Sequence, residues 1–286
     1  MNLAVRLTVT TGSPVMPELP EVESVARSLR DSSPSLIGAR ITAVNPVWPG
    51  VVALESGCRD IGQLKGCRCL SVGRLGKYLL VGVETPQGDP LCLLIHLRMT
   101  GRLYLVPQAE AIERHTRLAL TLDNGCAVRF DDPRKFGRVW LIDDAASITA
   151  RLGPDALTVG LEEFVARLAC HRRQIKPLLL DQSVVAGIGN IYADESLHRA
   201  GIHPSVNSAD LTPEQVRRLH AAVIAVLDEA VAAQGANIDG VFKAGSFVVS
   251  VYGREGRPCP VCGTPVSKIR VAQRGTHFCV RCQQLP

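Results

Sequence analysis

The sequence predicts an α+β protein built in three consecutive parts: a β-rich portion, a helical portion and a small four-cysteine module. Three observations predict it. Short β-rich runs broken by Gly, Pro, Asn and Asp fill residues 41–142. A 3.6-residue apolar period takes over after about residue 150. Two Cys-x-x-Cys pairs close the chain.

The elements follow in order. Glu21–Arg30 reads as a helix with Val22, Val25, Ala26 and Leu29 on one face. Tyr78–Val83, Leu91–Ile95, Arg117–Leu122 and Val139–Ile142 read as strands, and their spacing predicts an antiparallel sandwich or barrel. The clearest helix spans 213–234. Thr212 is its N-cap, Pro213 takes the first helical position, Gln215 completes a capping box and Gly235 ends it. Its apolar stripe (Val216, Leu219, Val223, Val226, Leu227, Ala230, Val231) is core.

Ten cysteines divide into two groups. Cys58, Cys67, Cys69, Cys92, Cys126 and Cys170 show no pairing logic and read as small buried hydrophobes in a reducing compartment. Cys259-x2-Cys262 and Cys279-x2-Cys282 have the spacing of a structural zinc site, in which a hairpin brings two tight turns together. One Zn²⁺ is expected there. Residues 241–286 carry seven basic side chains against the single acid Glu255, so this segment is +6 while the rest of the +5 chain sums to −1. A basic zinc module on a balanced body points to a polyanion, nucleic acid ahead of membrane.

No apolar run is long enough to span a bilayer. Residues 1–15 hold one Arg and a short apolar stretch, too weak for a secretory signal, and read as a non-native or mis-assigned extension. Behind it stands Met16-Pro17-Glu18-Leu19-Pro20-Glu21-Val22-Glu23. If the chain starts at Met16 and that Met is trimmed, Pro17 becomes a secondary amine able to condense with an aldehyde carbon. With residues 1–16 attached, the same nitrogen is an amide with no such reactivity.

Other motifs are individually weak. They are Gly76-Lys77-Tyr78-Leu79, His96-Leu97-Arg98-Met99-Thr100-Gly101, Asp132-Pro133-Arg134-Lys135-Phe136-Gly137, Gly187-Ile188-Gly189-Asn190-Ile191-Tyr192-Ala193-Asp194-Glu195 and Val251-Tyr252-Gly253-Arg254. Two glycines before Asn190 at a helix entrance suit a phosphate, and serve an ordinary cap equally well. Taken in this order with the octapeptide and the four cysteines, the motifs closely resemble the formamidopyrimidine-DNA glycosylase family, from Met16 to the C-terminus.

The resemblance implies an N-terminal β-sandwich over 16–147, a helical domain with a helix–two-turn–helix motif over 148–245, and a zinc-finger β-hairpin over 246–286. It implies a base-excision repair enzyme that is also an abasic-site lyase. Pro17 attacks C1′ of a damaged nucleotide flipped out of the duplex, and the iminium permits β,δ-elimination. Glu18 matches the acid/base beside the amine, and Glu21 a further acid that steadies the site. Lys77 matches the lysine on the lesion and its phosphate. His96, Asn190 and Arg274 match phosphate contacts, Arg274 being linked also to the later elimination. His115, Arg134 and Tyr192 match further DNA-binding positions. Met99, Arg134 and Phe136 match the residues that fill the void left by the extruded base. The implied partner is damaged double-stranded DNA, the implied state a monomer, and the implied place the bacterial cytoplasm, associated with the nucleoid through DNA.

Two stretches depart from the family pattern. One is the extension at 1–15. The other is 234–247, shorter than the family's capping loop, which weakens the expectation of 8-oxoguanine recognition and leaves that of ring-opened formamidopyrimidines standing. Within the enzymes, an endonuclease-VIII-like specificity for oxidised pyrimidines is the alternative, and Leu19, Met99 and Phe136 favour the purine branch. A catalytically silent lesion-binding zinc protein follows if Pro17 is not terminal. A zinc-ribbon module of a transcription or RNA-processing factor would explain the tail alone.

Overall fold

The computed structural model describes residues 16–55, 57–237 and 245–285. The extension at 1–15 and the centre of the shortened segment, 238–244, lie outside the described residues.

Helix α1 (Leu19–Asp31) starts with Pro20 in its first turn and a capping box formed by Glu18 and Glu21. The strands β1 (Ile41–Asn45), β2 (Arg68–Leu75), β3 (Tyr78–Glu84), β4 (Pro90–His96), β5 (Arg102–Pro107), β6 (Thr116–Leu122), β7 (Cys126–Asp131) and β8 (Arg138–Ile142) follow. They form two four-stranded sheets, ordered β1-β6-β7-β5 and β2-β3-β4-β8, with antiparallel pairing throughout. The sandwich-or-barrel question resolves to a sandwich, because the two sheets stay separate and share one core. Val22, Val25, Ala26 and Leu29 of α1 enter that core. Leu19, one turn earlier, packs into the helical core instead. The N-terminus of α1 therefore sits at the junction of the two units.

The short α2 (Ala146–Thr149) still packs on the sandwich, its Ile148 against the cluster of Leu94, Trp140 and Ile142; the helical unit holds α3 (Leu161–Ala169), α4 (Ile175–Leu180), α5 (Asn190–Ala200) and α6 (Pro213–Ala232). The α6 N-cap is the one the sequence predicts: Thr212 Oγ1 accepts from Gln215 N–H at 3.2 Å and Gln215 Oε1 accepts from Thr212 N–H at 2.8 Å. Two helices joined by turns over 181–189 give the α4–α5 motif. Gln182 locks its loop, donating to the Leu180 and Ile188 carbonyls while accepting from Gly187 N–H. The chain ends in the hairpin β9 (Ser267–Val271) and β10 (Arg274–Phe278), turned by Ala272 and Gln273, both at positive φ.

One cysteine departs from expectation. Cys67 and Cys69 are buried and Cys58, Cys92 and Cys126 partly so, but Cys170 is exposed. It follows α3, where the apolar stripe has already ended.

Candidate nucleic-acid interface and active site

Three sandwich loops emerge at one end because their strands are paired there: Tyr78 is opposite His96, and His96 is opposite Arg138. The β2–β3 turn carries Lys77, the β4–β5 loop carries Met99, and the β7–β8 loop carries Arg134 and Phe136. Buried Asp132 ties the last two together. Its carboxylate accepts from the Thr100 hydroxyl, from Arg134 N–H at 3.2 Å and from Gly137 N–H at 2.7 Å. The Arg134 guanidinium lies 4.7 Å from the centre of the half-exposed Phe136 ring, an apolar wedge with a planar cation on its face.

Opposite these loops, α5 organises everything else. Gly189 precedes it, and any side chain there would strike the Glu18 carboxyl carbon, since a Cβ would fall 2.2 Å from it. That close approach lets Glu18 reach the helix start, where Oε1 accepts from Ile191 N–H at 2.9 Å and Oε2 from Tyr192 N–H at 3.3 Å. Burial pushes the Glu18 pKa up to about 7, further than Lys77 and the two amides pull it down. Glu21 is buried beneath, its Oε1 accepting from the Tyr192 hydroxyl at 2.6 Å and from Ala236 N–H at 2.9 Å, and burial raises its pKa as well. Burial lowers the pKa of Lys77, while Glu18 and Glu21 act to raise it.

Further along α5, Asn190 Nδ2 donates to the Gly275 carbonyl at 3.1 Å. Asp194 accepts from His277 N–H at 2.8 Å and pairs at 2.7 Å with Lys176, both side chains fully buried. Lys176 Nζ also donates to the Gly275 carbonyl at 3.0 Å and to Thr276 Oγ1 at 2.8 Å. Glu195 collects the backbone N–H groups of Ser250, Val251 and Tyr252. The helix thus fixes the β9–β10 turn, and with it Arg274, against the Glu18 end. A cleft of about 350 Å³ results, lined by Met16, Glu18, Lys77, Met99, Asn190 and Arg274 among others.

The predicted residues therefore fall into three sets. Glu18, Lys77, Met99, Asn190 and Arg274 share the cleft, and Pro17 is buried immediately beside Glu18. Arg134, Phe136 and exposed His115 lie on the sandwich loops; the His115 carbonyl accepts from Asp132 N–H. His96 is buried at the end of β4, where desolvation, with Arg98 and Lys77 adding, pushes its pKa down to about 3. Its Nδ1 accepts from Arg98 N–H at 3.0 Å, so the neutral ring carries its proton on Nε2. Tyr192 corrects the reading made for it. It is fully buried, its hydroxyl serves Glu21 and its N–H serves Glu18, which leaves neither group for DNA.

Sequence reasoning missed Lys176, Asp132 and Glu195 as organisers. Asp132 and Glu195 lie within the Asp132–Gly137 and Gly187–Glu195 motifs. Lys176, between Ile175 and Pro177, gave no signal that it was buried.

The four predicted thiolates converge. The Sγ atoms of Cys259, Cys262, Cys279 and Cys282 lie within 4.8 Å of one another, with Cys259–Cys282 at 3.9 Å and Cys262–Cys279 at 3.4 Å. A tetrahedron with Zn–S bonds of about 2.3 Å has edges of about 3.8 Å, so the donor set fits one structural zinc. His198 of α5 places Nε2 3.4 Å from Cys259 Sγ, and Gln283 bridges Cys279 N–H to the Ile202 carbonyl. Replacing any one cysteine by Ser is expected to unfold the hairpin and weaken duplex DNA binding by about tenfold or more, leaving the other two cores folded. Zinc content, DNA titration and the main thermal transition check this; undiminished binding by metal-free protein would contradict it.

Among the described residues no helix is long and apolar enough to cross a membrane. Residues 16–139 match the formamidopyrimidine-DNA glycosylase N-terminal domain, 152–240 its H2TH domain, and 256–285 a zinc finger found in FPG and IleRS. The formamidopyrimidine-DNA glycosylase of Herpetosiphon aurantiacus is 40% identical over 279 residues, covering 94% of this chain and 100% of the relative. That of Chloroflexus aurantiacus is 43% identical, covering 94% and 98%. A MutM in complex with DNA containing carbocyclic 8-oxo-G superimposes with a TM-score of 0.84 at 34% identity, over 94% of this chain and 100% of that one. The Lactococcus lactis Fpg bound to DNA containing N7-benzyl-Fapy-dG gives 0.83 at 33%, with the same coverage. With sandwich, helix pair, zinc hairpin and the cleft between them all in place, the chain belongs to the formamidopyrimidine-DNA glycosylase family.

Proposed function

We propose that this protein removes oxidised or ring-opened purines from damaged duplex DNA and then cuts the strand at the abasic site. One observation carries this reading: a carboxyl with a pKa near 7, held on a helix N-terminus directly after Pro17, faces a cleft that also holds Lys77, Asn190 and Arg274. A free Pro17 nitrogen adds to C1′ as the base departs with the C1′–N electron pair; the proton the amine loses balances the one the base takes up, and breaking the sugar ring oxygen's bond to C1′ then leaves an iminium. Glu18 supplies the proton that the ring oxygen takes up. The iminium then accepts the electron pair released when C2′ loses a proton, which expels the 3′ phosphate; a second such elimination expels the 5′ phosphate. Lys77, Asn190, Arg274 and His96 Nε2–H serve as donors to phosphates or lesion, His115 as a further backbone contact. Met99, Arg134 and Phe136 fill the vacated stack, Arg134 facing the unpaired base. The protein acts as a monomer in the bacterial cytoplasm, on the nucleoid.

Duplexes carrying a formamidopyrimidine, 8-oxoguanine or an oxidised pyrimidine, compared under single turnover, test the reading. Formamidopyrimidine is expected to be excised at least about tenfold faster than the pyrimidine lesion. Faster pyrimidine excision would assign the endonuclease-VIII-like specificity instead. Binding without excision by protein that starts at Pro17 would leave a silent lesion binder.

A further inference from the structure

Lys77 sits on the two-residue β2–β3 turn, and among the described residues its ammonium makes no hydrogen bond. The residues around that turn are held in an unusual way. Gly76 is at φ +55°, and a Cβ there would come 3.0 Å from the Ala186 Cβ, so the turn lies directly on the loop that leads to α5. Asp155, from the start of the helical unit, accepts the Gly76 N–H at 2.9 Å. The same carboxylate receives both terminal nitrogens of Arg74, one of them at 3.1 Å. Arg74 also donates to the Gly76 carbonyl at 3.2 Å and, through Nε, to Glu23 of α1 at 3.0 Å. The Arg74 side chain is 6% exposed and that of Asp155 11%. Asp155 is itself anchored, because it bridges to Ala186 and its neighbour Ala156 donates to the Ala186 carbonyl.

We propose that Arg74 and Asp155 are positioning residues: an inter-domain strut that sets Lys77 against the Glu18 end of α5. The chemistry suits the task. A bidentate guanidinium–carboxylate pair fixes angle as well as distance, which a Lys or a single hydrogen bond does not. The strut grips both peptide groups of Gly76, the residue before Lys77, and its far end rests on the loop that carries Gly189. Sandwich and helical unit are thereby referenced to each other at the one turn where the cleft needs them aligned. A buried ion pair contributes little net stability, so orientation is the gain it offers.

This inference rests on Lys77 acting in the reaction, and the experiment separates the two. Single-turnover excision of a formamidopyrimidine is measured for Asp155→Asn, Arg74→Lys, Asp155→Glu, Lys77→Ala and the doubles with Lys77→Ala, all starting at Pro17 and well below each thermal transition. Asp155→Asn and Arg74→Lys are each expected to slow excision about 10- to 100-fold, with Asp155→Glu recovering part of the loss. In the Lys77→Ala background the same changes are expected to cost less than about twofold, because the effect passes through Lys77. Losses that multiply in that background would overturn the strut, as would undiminished single variants beside an impaired Lys77→Ala. Full activity of Lys77→Ala would remove the reading of Lys77 and the strut with it. Arg74→Lys keeps the buried charge, so it carries the test if Asp155→Asn does not fold.

Discussion

Glu18→Gln, in protein starting at Pro17, is expected to lower base excision by at least about 100-fold while duplex binding changes by less than about threefold. The amide is nearly isosteric and can still accept one N–H from the start of α5, so the local fold survives. It cannot deliver a proton. On the proposed reading DNA affinity comes from phosphate contacts elsewhere, which the substitution does not touch. The pH profile of the unsubstituted enzyme follows from the same group. Burial raises the Glu18 pKa from 4.5 to about 7, so the proton-donating form declines, and excision with it, as pH rises through about 7. The stability linkage has a definite sign. Folding takes up a proton at Glu18 between pH 4.5 and 7, so its contribution is full below 4.5 and is lost as pH rises through 7. Gel assays of cleaved strand against pH, with filter or anisotropy titrations, check these statements. Abolished binding in Glu18→Gln would make Glu18 a structural residue.

Legibility in the sequence divides along physical lines. Local signals came through: the β-rich runs between turn residues, the capping box of α6, and the cysteine spacing are each written within a few residues. Strand pairing was not local. Whether eight strands close into a barrel depends on which edges meet, and the β1-β6-β7-β5 and β2-β3-β4-β8 orders join strands far apart in the chain. The cleft residues Lys77, Met99, Asn190 and Arg274 were named because several motifs in one order resemble one family; none would stand out alone. What stayed hidden is what charge burial decides. Lys176 reads as a solvated lysine until the hairpin covers it. Arg74 and Asp155 are separated by 81 positions, and only the fold makes them partners. Tyr192 matches a DNA-binding position by resemblance, and the sequence does not show that its side of α5 faces Glu21.

The covalent step depends on the Pro17 nitrogen. In the peptide chain it is a tertiary amide, its lone pair delocalised into the carbonyl, and no arrangement of Glu18 or Lys77 restores nucleophilicity. Freed by removal of Met16, it is a secondary amine at a buried position, next in the chain to an acid that can pass protons to the sugar. Proline suits this role chemically, since a secondary amine yields an iminium that is already charged and needs no protonation to draw electrons. Glu18 follows in the next position, so amine and acid reach the same carbon–oxygen centre. The difference between the two starts is therefore all or nothing in the covalent step. The decisive measurement is borohydride trapping on abasic-site duplex, with the adduct mapped by peptide mass. Protein beginning at Pro17 is predicted to give a covalent adduct on Pro17, and the 286-residue chain none. Equal trapping of the 286-residue chain, or an adduct on another residue, would contradict the account.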